Sequence, residues 1–502
     1  MIPQAIISQL PILQVIVPLI AAPFCALLGG RNRAWALAFA VSLVTFAISA
    51  MLFASTLDGT VLSYQLGGWA PPIGIEYRVD ALNAFVLLIV SGVGALTMLY
   101  ARESVAYEID ERHHGLFYSA FVFCMTGLLG VTITGDAFNV FVFLEISSLS
   151  TYALVASGAK RDRRALTAAY NYLIMGTIGA TFFVIGLGLL YMITGTLNMA
   201  DLAHKLVEHG DSRTLRMGFA FIVVGFGLKL AMFPLHLWLP NAYTHAPSAV
   251  SAFVSATSTK VAVYLMLRFL FTVFGFSIPF EVDVLRTIVL PLALIGILAG
   301  SIVAVFQEDL KRLLAYSSIS QIGYMLVGIT LLTPGGLMAS IIHLFNHAVA
   351  KAALFMVAGA YVMQAGTSTI SDLRGVGRDM PFTTAAFVVG GLSLVGVPMT
   401  VGFISKWYLV QAALEQGWWP VAGLIVLSSL VAFAYVWRFV EAAYMYPTPD
   451  GVIRREAPLT MLIPMWIFAG SSIFFGLNAS LTSAAASRAA SGLIAASSLI
   501  WQ

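Results

Sequence analysis

Residues Leu228–Val261 read LKLAMFPLHLWLPNAYTHAPSAVSAFVSATSTKV, and their reading decides the fold. The stretch begins in an apolar run that holds Lys229, and Pro234 and Pro240 then interrupt that run. A short polar passage, Asn241 to Pro247, leads into a second apolar run with Lys260 deep inside it. Proline removes a backbone hydrogen bond, and in a bilayer the freed groups are tolerated only where protein or water meets them. A bare charge near the bilayer centre costs about 2.5–3.5 kcal/mol on insertion scales. Two lysines around a broken helix therefore point to a membrane protein that uses those charges.

Composition agrees. Of 502 residues, 60% are hydrophobic and 10% charged, and the mean hydropathy is +0.92. A soluble domain carries about 25% charged residues. Apolar runs of bilayer length, on the order of 20 residues, recur from end to end, so the chain is an all-α polytopic membrane protein with one transmembrane domain over 1–502. The net charge of +3 is diffuse and gives nucleic-acid binding no support. Cys25 and Cys124 lie in separate apolar runs and no CxxC or CxxCH occurs, which argues against iron–sulfur, zinc and c-type haem sites; no cofactor is expected. The N-terminus lacks the basic region and cleavage site of a signal peptide, so the first run is expected to be retained.

Fourteen spans are expected: 8–28, 34–54, 80–101, 116–134, 137–157, 165–193, 216–239, 248–274, 284–306, 313–333, 336–365, 382–412, 419–446 and 458–478. Fourteen Lys and Arg residues fall in the odd-numbered loops and five in the intervening ones. The positive-inside rule then places both termini on the outer face. In the outer loop Asp58–Val79, two β-prone segments flank Gly67-Gly68 and Pro71-Pro72, which predicts a hairpin. Asn198–Arg216 has Leu202, Leu206 and Val207 at helical spacing and reads as a short interfacial helix. The Ala/Ser-rich tail after Ser480 is given no element.

The contrast between lysine and arginine is informative. Four of seven lysines (Lys229, Lys260, Lys351 and Lys406) sit inside expected spans. Of nineteen arginines only Arg268 and Arg438 do, both toward span ends where they can snorkel. Burial can bring a lysine into the range where it exchanges protons, whereas arginine stays charged. The buried lysines therefore read as a relay, with helix-fixing ion pairs as the plainer alternative. Glu145 is the one clear deep acid, with Lys229 or Lys260 as its partner; tightening such a pair holds the proton and separating it releases the proton. His343, His347 and Lys351 fall at i, i+4 and i+8, on one helical face. The HxxxH spacing could hold a metal, but no HExxH glutamate and no third ligand are evident, so no metal is expected. Imidazole titrates near neutrality, and a proton-conducting face is the better reading. His236 and His245 flank the first break and are candidates for a water-accessible entrance. Ser255, Ser258, Thr259, Ser317, Ser318 and Ser320 supply hydroxyls on the same faces.

A second break is expected at Gly396-Val397-Pro398, with Lys406 eight residues on. The broken spans, seventh and twelfth, are five apart. An odd offset reverses direction, as in two inverted five-helix repeats, spans 4–8 (116–274) and 9–13 (284–446).

GDAFNVFVFLEI around Glu145, GLKLAMFPLHLWLPNAYTHAPSAVSAF, QEDLKRLLAYSSISQIGYM and HLFNHAVAKAALF resemble the antiporter-like subunits of respiratory complex I and of Mrp-type cation/proton antiporters. The resemblance covers nearly the whole chain. It implies fourteen core helices with inverted repeats, Glu145 modulating Lys229, and Lys260 as central relay. It further implies His343, His347 and Lys351 as relay or connecting groups, and Lys406 as terminal site. The lysine at 406 is unlike the M-type complex I subunit, which has a glutamate there. The phrase LGGWAPPIGIEYRVDALNAF is most similar to the D-type subunit of Mrp antiporters. The implied activity is proton translocation coupled to Na+ exchange across the cell membrane, beside other membrane subunits in a hetero-oligomer. The alternative is an antiporter-like subunit of complex I or of a membrane-bound hydrogenase.

Overall fold

The computed structural model describes residues 7–276, 278–449 and 453–499; the chain ends, and with them the expected placement of both termini, lie outside these. Among the described residues twelve helices are long and apolar enough to cross a membrane. In chain order they are α1 (Leu10–Leu28), α2 (Arg31–Ser55), α3 (Ala81–Glu108), α4 (Glu111–Ile133), α5 (Ala137–Lys160), α6 (Arg164–Thr194), α10 (Ser248–Phe274), α11 (Pro279–Val305), α12 (Leu310–Thr330), α13 (Pro334–Ala365), α16 (Trp419–Met445) and α17 (Leu459–Leu477). Each of the two spans expected to be broken is a pair of shorter helices: α8 (Arg213–Lys229) with α9 (Trp238–His245), and α14 (Pro381–Val395) with α15 (Val401–Glu415). The interfacial helix is α7 (Met199–His209), and the Ala/Ser-rich tail forms α18 (Ala479–Leu499).

Helix starts follow the local chemistry. Asp80 and Asn83 form a reciprocal capping box at the start of α3. Asp136, Ser212, Asp309 and Thr333 each accept a backbone N–H in the first turn of the helix they precede. In the outer loop β1 (Leu62–Gln65) pairs antiparallel with β2 (Glu76–Val79), Leu62 facing Val79 and Gln65 facing Glu76. This is the expected hairpin. Glu76 extends its tie by accepting from Ser63 Oγ at 2.7 Å and Asn198 Nδ2 at 2.9 Å, which joins the hairpin to the start of α7.

The core is a trio. Helices α10, α12 and α13 bury 94% of their most apolar windows, whereas α1, α2, α6, α11, α16 and α17 bury under half of theirs and form the rim. Helix α13 is the pillar, packing against α3, α10, α12, α14, α15, α17 and α18. Close crossings use glycine, as membrane helices do when packing must replace a hydrophobic drive. A Cβ on Gly225 of α8 would stand 2.8 Å from Gly179 O of α6.

Two expectations need correction. The passage Asn241–Pro247, placed outside the expected spans, is mostly helical, because α9 runs to His245; Pro240 sits in its first turn, where no amide donor is required. Arg268 does not snorkel. It is 9% exposed and forks onto Asp80, Nη1 to Oδ2 at 2.7 Å and Nη2 to Oδ1 at 2.9 Å, so that α10 is tied to the cap of α3. Arg438, half-buried at the edge of a polar pocket as expected of a residue near a span end, donates to Gln307 O at 2.8 Å and to Val305 O, where α11 ends. In α7, Leu202 and Leu206 are buried as expected and Val207 faces outward, 39% exposed.

A buried lysine–histidine line between two broken helices

Lys229 is the last residue of α8, and the chain leaves helical geometry directly after it, with Ala231 at φ 61. Its Nζ donates to Ser148 Oγ at 2.8 Å and stands 3.6 Å from Glu145 Oε1. The acid expected to partner Lys229 or Lys260 thus faces Lys229. Glu145 is also less enclosed than expected. Its side chain is 24% exposed against 8% for Lys229, and it lies on α5 between the exposed Phe138, Val142 and Leu149. Within the first break Pro234 and Leu237 are exposed, and the His236 ring stacks on Phe233 with centroids 5.3 Å apart. His245 is not in that break. It ends α9 and meets Asp162 Oδ2 through Nδ1 at 3.1 Å. The neighbouring Arg164 guanidinium holds the Asp162 carboxyl down at about 2, so Asp162 stays ionised throughout the cellular range.

Lys260 lies fully buried in α10. It donates to Ser255 O and reaches Thr259 Oγ1 at 3.4 Å, with no carboxylate in salt-bridge range among the described residues. Its helix packs against α13, which carries His343, His347 and Lys351. Those three residues share one face, as their spacing predicts. The His343 and His347 rings stand 6.4 Å apart at 18°. His343 Nδ1 meets Ser405 Oγ at 2.8 Å, while neither nitrogen of His347 has a protein partner. Lys351 donates to Leu314 O and Ser317 Oγ, both at 2.5 Å.

The second break copies the chemistry of the first with a different reach. Gly396, at φ 86, ends α14, and Met399 in the same joint has φ 74; Pro398 follows Gly396 by two residues and is exposed. Lys406, one turn into α15, turns back across the joint. It donates to Leu394 O at 2.8 Å, Val395 O at 3.1 Å and Ser429 Oγ at 3.0 Å, and lies 4.8 Å from the Tyr324 ring centroid. A cation at the carbonyl end of a half-helix is favoured by the helix dipole. Tyr324 also stacks edge-on against His343 at 5.4 Å, and so bridges the α13 face to Lys406. Asn346 adds a direct tie by donating to Val401 O at the start of α15.

The line runs Glu145–Lys229, Lys260, His347 and Lys351, His343, then Lys406. It joins one broken helix to the other through the core trio. Two features were not read from sequence. Tyr324 carried no signal beyond its place in the QEDLKRLLAYSSISQIGYM motif. Lys311, expected in a loop, is 3% exposed and donates to Ala246 O at 3.2 Å. Among the described residues no three or more His, Cys, Asp or Glu side chains gather as a metal site would require.

The family model described as NADH:quinone oxidoreductase/Mrp antiporter, TM matches residues 134–432, which hold the whole line from Glu145 to Lys406. The chain is 40% identical over 486 residues to the N-type subunit of the NADH-quinone oxidoreductase of Desulforudis audaxviator, covering 94% of this chain and 96% of that one. It is 30% identical over 456 residues to the D-type subunit of the Na(+)/H(+) antiporter of Bacillus subtilis, covering 91% of each. Among solved structures it matches a chain of the Mrp complex from Dietzia sp. with TM-score 0.89 and 26% identity over 99% of both chains. A chain of the archaeal membrane-bound sulfane sulfur reductase matches with TM-score 0.91 and 29% identity, over 98% of this chain and 99% of that one. On the motif-bearing core, the sequence identities and the shared architecture together, this chain belongs to the NADH:quinone oxidoreductase/Mrp antiporter family of membrane subunits.

Proposed function

We propose that this chain is the proton-translocating, D-type subunit of a multisubunit Na+/H+ antiporter in the cell membrane, a transporter subunit and not itself an enzyme. The observation that carries the reading is that buried amines and imidazoles stand on helices packed between the two broken spans, from Lys229 beside Glu145 through Lys260 on α10 and His343, His347 and Lys351 on α13 to Lys406 at the second joint. Its neighbours would be other membrane subunits of the same complex, and its cargo protons, coupled to a monovalent cation. In this reading 116–274 and 284–446 are inverted repeats, each contributing one broken helix, and the hairpin face is the outer one.

Glu145 modulates Lys229, which has two alternative partners, the carboxylate and Ser148 Oγ. Lys260 is the central relay, and His343, His347 and Lys351 distribute the proton toward Lys406. Two like charges 6.4 Å apart, the spacing of the His343 and His347 rings, repel by about 2.5 kcal/mol at an effective dielectric of 20. That is several times thermal energy, so adjacent sites do not hold protons together and each arrival drives the next departure. The test is exchange in everted vesicles. Lys229→Ala and Glu145→Ala should each abolish proton/cation exchange while the complex accumulates normally. Near-normal exchange in either variant sinks the relay.

A second reading has its own observation, the 40% identity to the N-type relative over 94% of the chain. The same line would then translocate protons inside a redox-driven assembly of the complex I or hydrogenase kind. The chemistry of Lys229, Lys260 and Lys406 is common to both readings. What differs is the company the chain keeps.

A further inference from the structure

The relay leaves one buried lysine unused among the described residues. Lys311 stands in the first turn of α12 and lines a polar cavity of about 440 Å³ on the face opposite the hairpin. The walls come from segments far apart in sequence. The end of α3 supplies Glu108, the α5–α6 connection Arg161, Asp162 and Arg164, and the α9–α10 joint His245 and Ala246. Asp309 and Lys311 come from the start of α12, and residues 366–369 close the side below α13. Glu108 is 5% exposed and accepts the Ser248 amide at 3.0 and 3.1 Å, capping α10, the helix that carries Lys260. At the open side stands the Asp162–His245 contact of 3.1 Å.

Helix α12 connects this cavity with the line. Lys351 binds Leu314 O, and Leu314 is one turn beyond Lys311 on the same helix, a rise of about 4.5 Å. Lys351 is therefore anchored on α12 one turn from the backbone position of Lys311, whose own amine donates to Ala246 O at the cavity wall. Lys311 has a carbonyl as its hydrogen-bond acceptor and no carboxylate within salt-bridge distance among the described residues, so no ion pair locks its proton in place. By contrast the first break offers His236 stacked on Phe233, beside the exposed Pro234 and Leu237.

We propose that this cavity is a proton antechamber and that Lys311 passes protons between its water and Lys351, so that the line opens to solvent at the junction of the two repeats. The proposal rests on the proton-translocation reading above. In the inward step a neutral Lys311 amine takes a proton from hydronium, leaving water. The resulting ammonium gives that proton, through water or the Ser317 hydroxyl, to a neutral Lys351 amine, and Lys311 returns to neutral. Lys351 then releases its proton along the His347 face.

The test uses the whole complex in everted vesicles. Lys311→Met and Lys311→Arg should each lower exchange at least tenfold at normal complex abundance, as should Lys351→Met. Arginine keeps the charge beside Ala246 O but does not release a proton. Full rescue by Lys311→Arg would mean a purely structural cation and would overturn the antechamber. Loss in Lys351→Met with normal exchange in Lys311→Met would also overturn it, and leave the relay standing. Normal exchange in Lys351→Met would instead remove the relay itself. Should the Lys311 variants fail to assemble, Thr244→Cys and Thr367→Cys, both lining the cavity, answer separately. Cys25 and Cys124 are buried and give little background. A membrane-impermeant maleimide should label both new thiols in everted vesicles, and protection of both would refute a water-filled cavity.

Discussion

Lys406 satisfies its three protons with Leu394 O, Val395 O and Ser429 Oγ, and Gly396 is what gives it room. A Cβ at Gly396 would stand 3.0 Å from Lys406 Cδ, and φ 86 is a region that other L-residues enter at a cost of about 1–2 kcal/mol. Gly396→Ala should therefore lower stability by about that much and slow exchange, because the alanine methyl displaces the lysine stem from its carbonyls. Met399 in the same joint, with φ 74, makes the comparison. Met399→Gly should leave stability unchanged or raise it by up to about 1 kcal/mol. The thermal aggregation midpoint of the purified complex, read with the exchange rate, checks both; a Gly396→Ala complex that behaves as wild type would refute the account of the joint. At this scale the sequence was a good guide to which charged side chains are enclosed. Lys229, Lys260, Lys351 and Lys406 were visible because a lysine in an apolar run demands an explanation. Arg268 misled for the same reason. Its partner Asp80 is 188 positions away, and no local pattern announces a long-range ion pair.

At the scale of elements, the broken helices hold their lysines by resting on unbroken ones. Helix α8 delivers Lys229 to Ser148 only while it crosses α6 closely. At Gly225 a methyl would meet Gly179 O at 2.8 Å and Phe183 N at 2.9 Å, backbone atoms that cannot yield. Overpacking of this kind costs about 1–3 kcal/mol. Gly225→Ala should lower the melting midpoint and cut exchange several-fold, whereas Gly188→Ala, on α6 with open space around it, should do neither. Equal behaviour of the two variants would show that the crossing does not position Lys229. The unbroken spans were legible because each helix satisfies its own backbone in lipid, which makes hydropathy a sufficient signal. The breaks at Pro234 and at Gly396–Pro398 were legible from residues that deny hydrogen bonds or accept positive φ. The continuation of α9 to His245 and the helix α18 were not. Polar and Ala/Ser-rich segments fold as loop or helix according to what they pack on, and α18 packs on α3 and α13.

For the whole molecule the deciding matter is the assembly that surrounds it, and the chromophores of that assembly separate the two readings. A complex purified through this chain should show no flavin or iron–sulfur absorption if it is a cation/proton antiporter. Such absorption, retained through purification at stoichiometric amounts, would assign the chain to a redox-driven complex. By itself the sequence determined the class, the placement of most spans, the two interruptions and the titratable residues held within the spans, because burial cost, backbone hydrogen bonding and lysine chemistry are local properties. Only the tertiary structure decided that Glu145 faces Lys229 and not Lys260, that Tyr324 bridges His343 to Lys406, and that Lys311 lies buried beside a cavity built from five separate segments. Those facts depend on which helices pack against α13. Packing in lipid is set by shape and small-residue contacts spread over the whole chain, and a single sequence read in order does not display them.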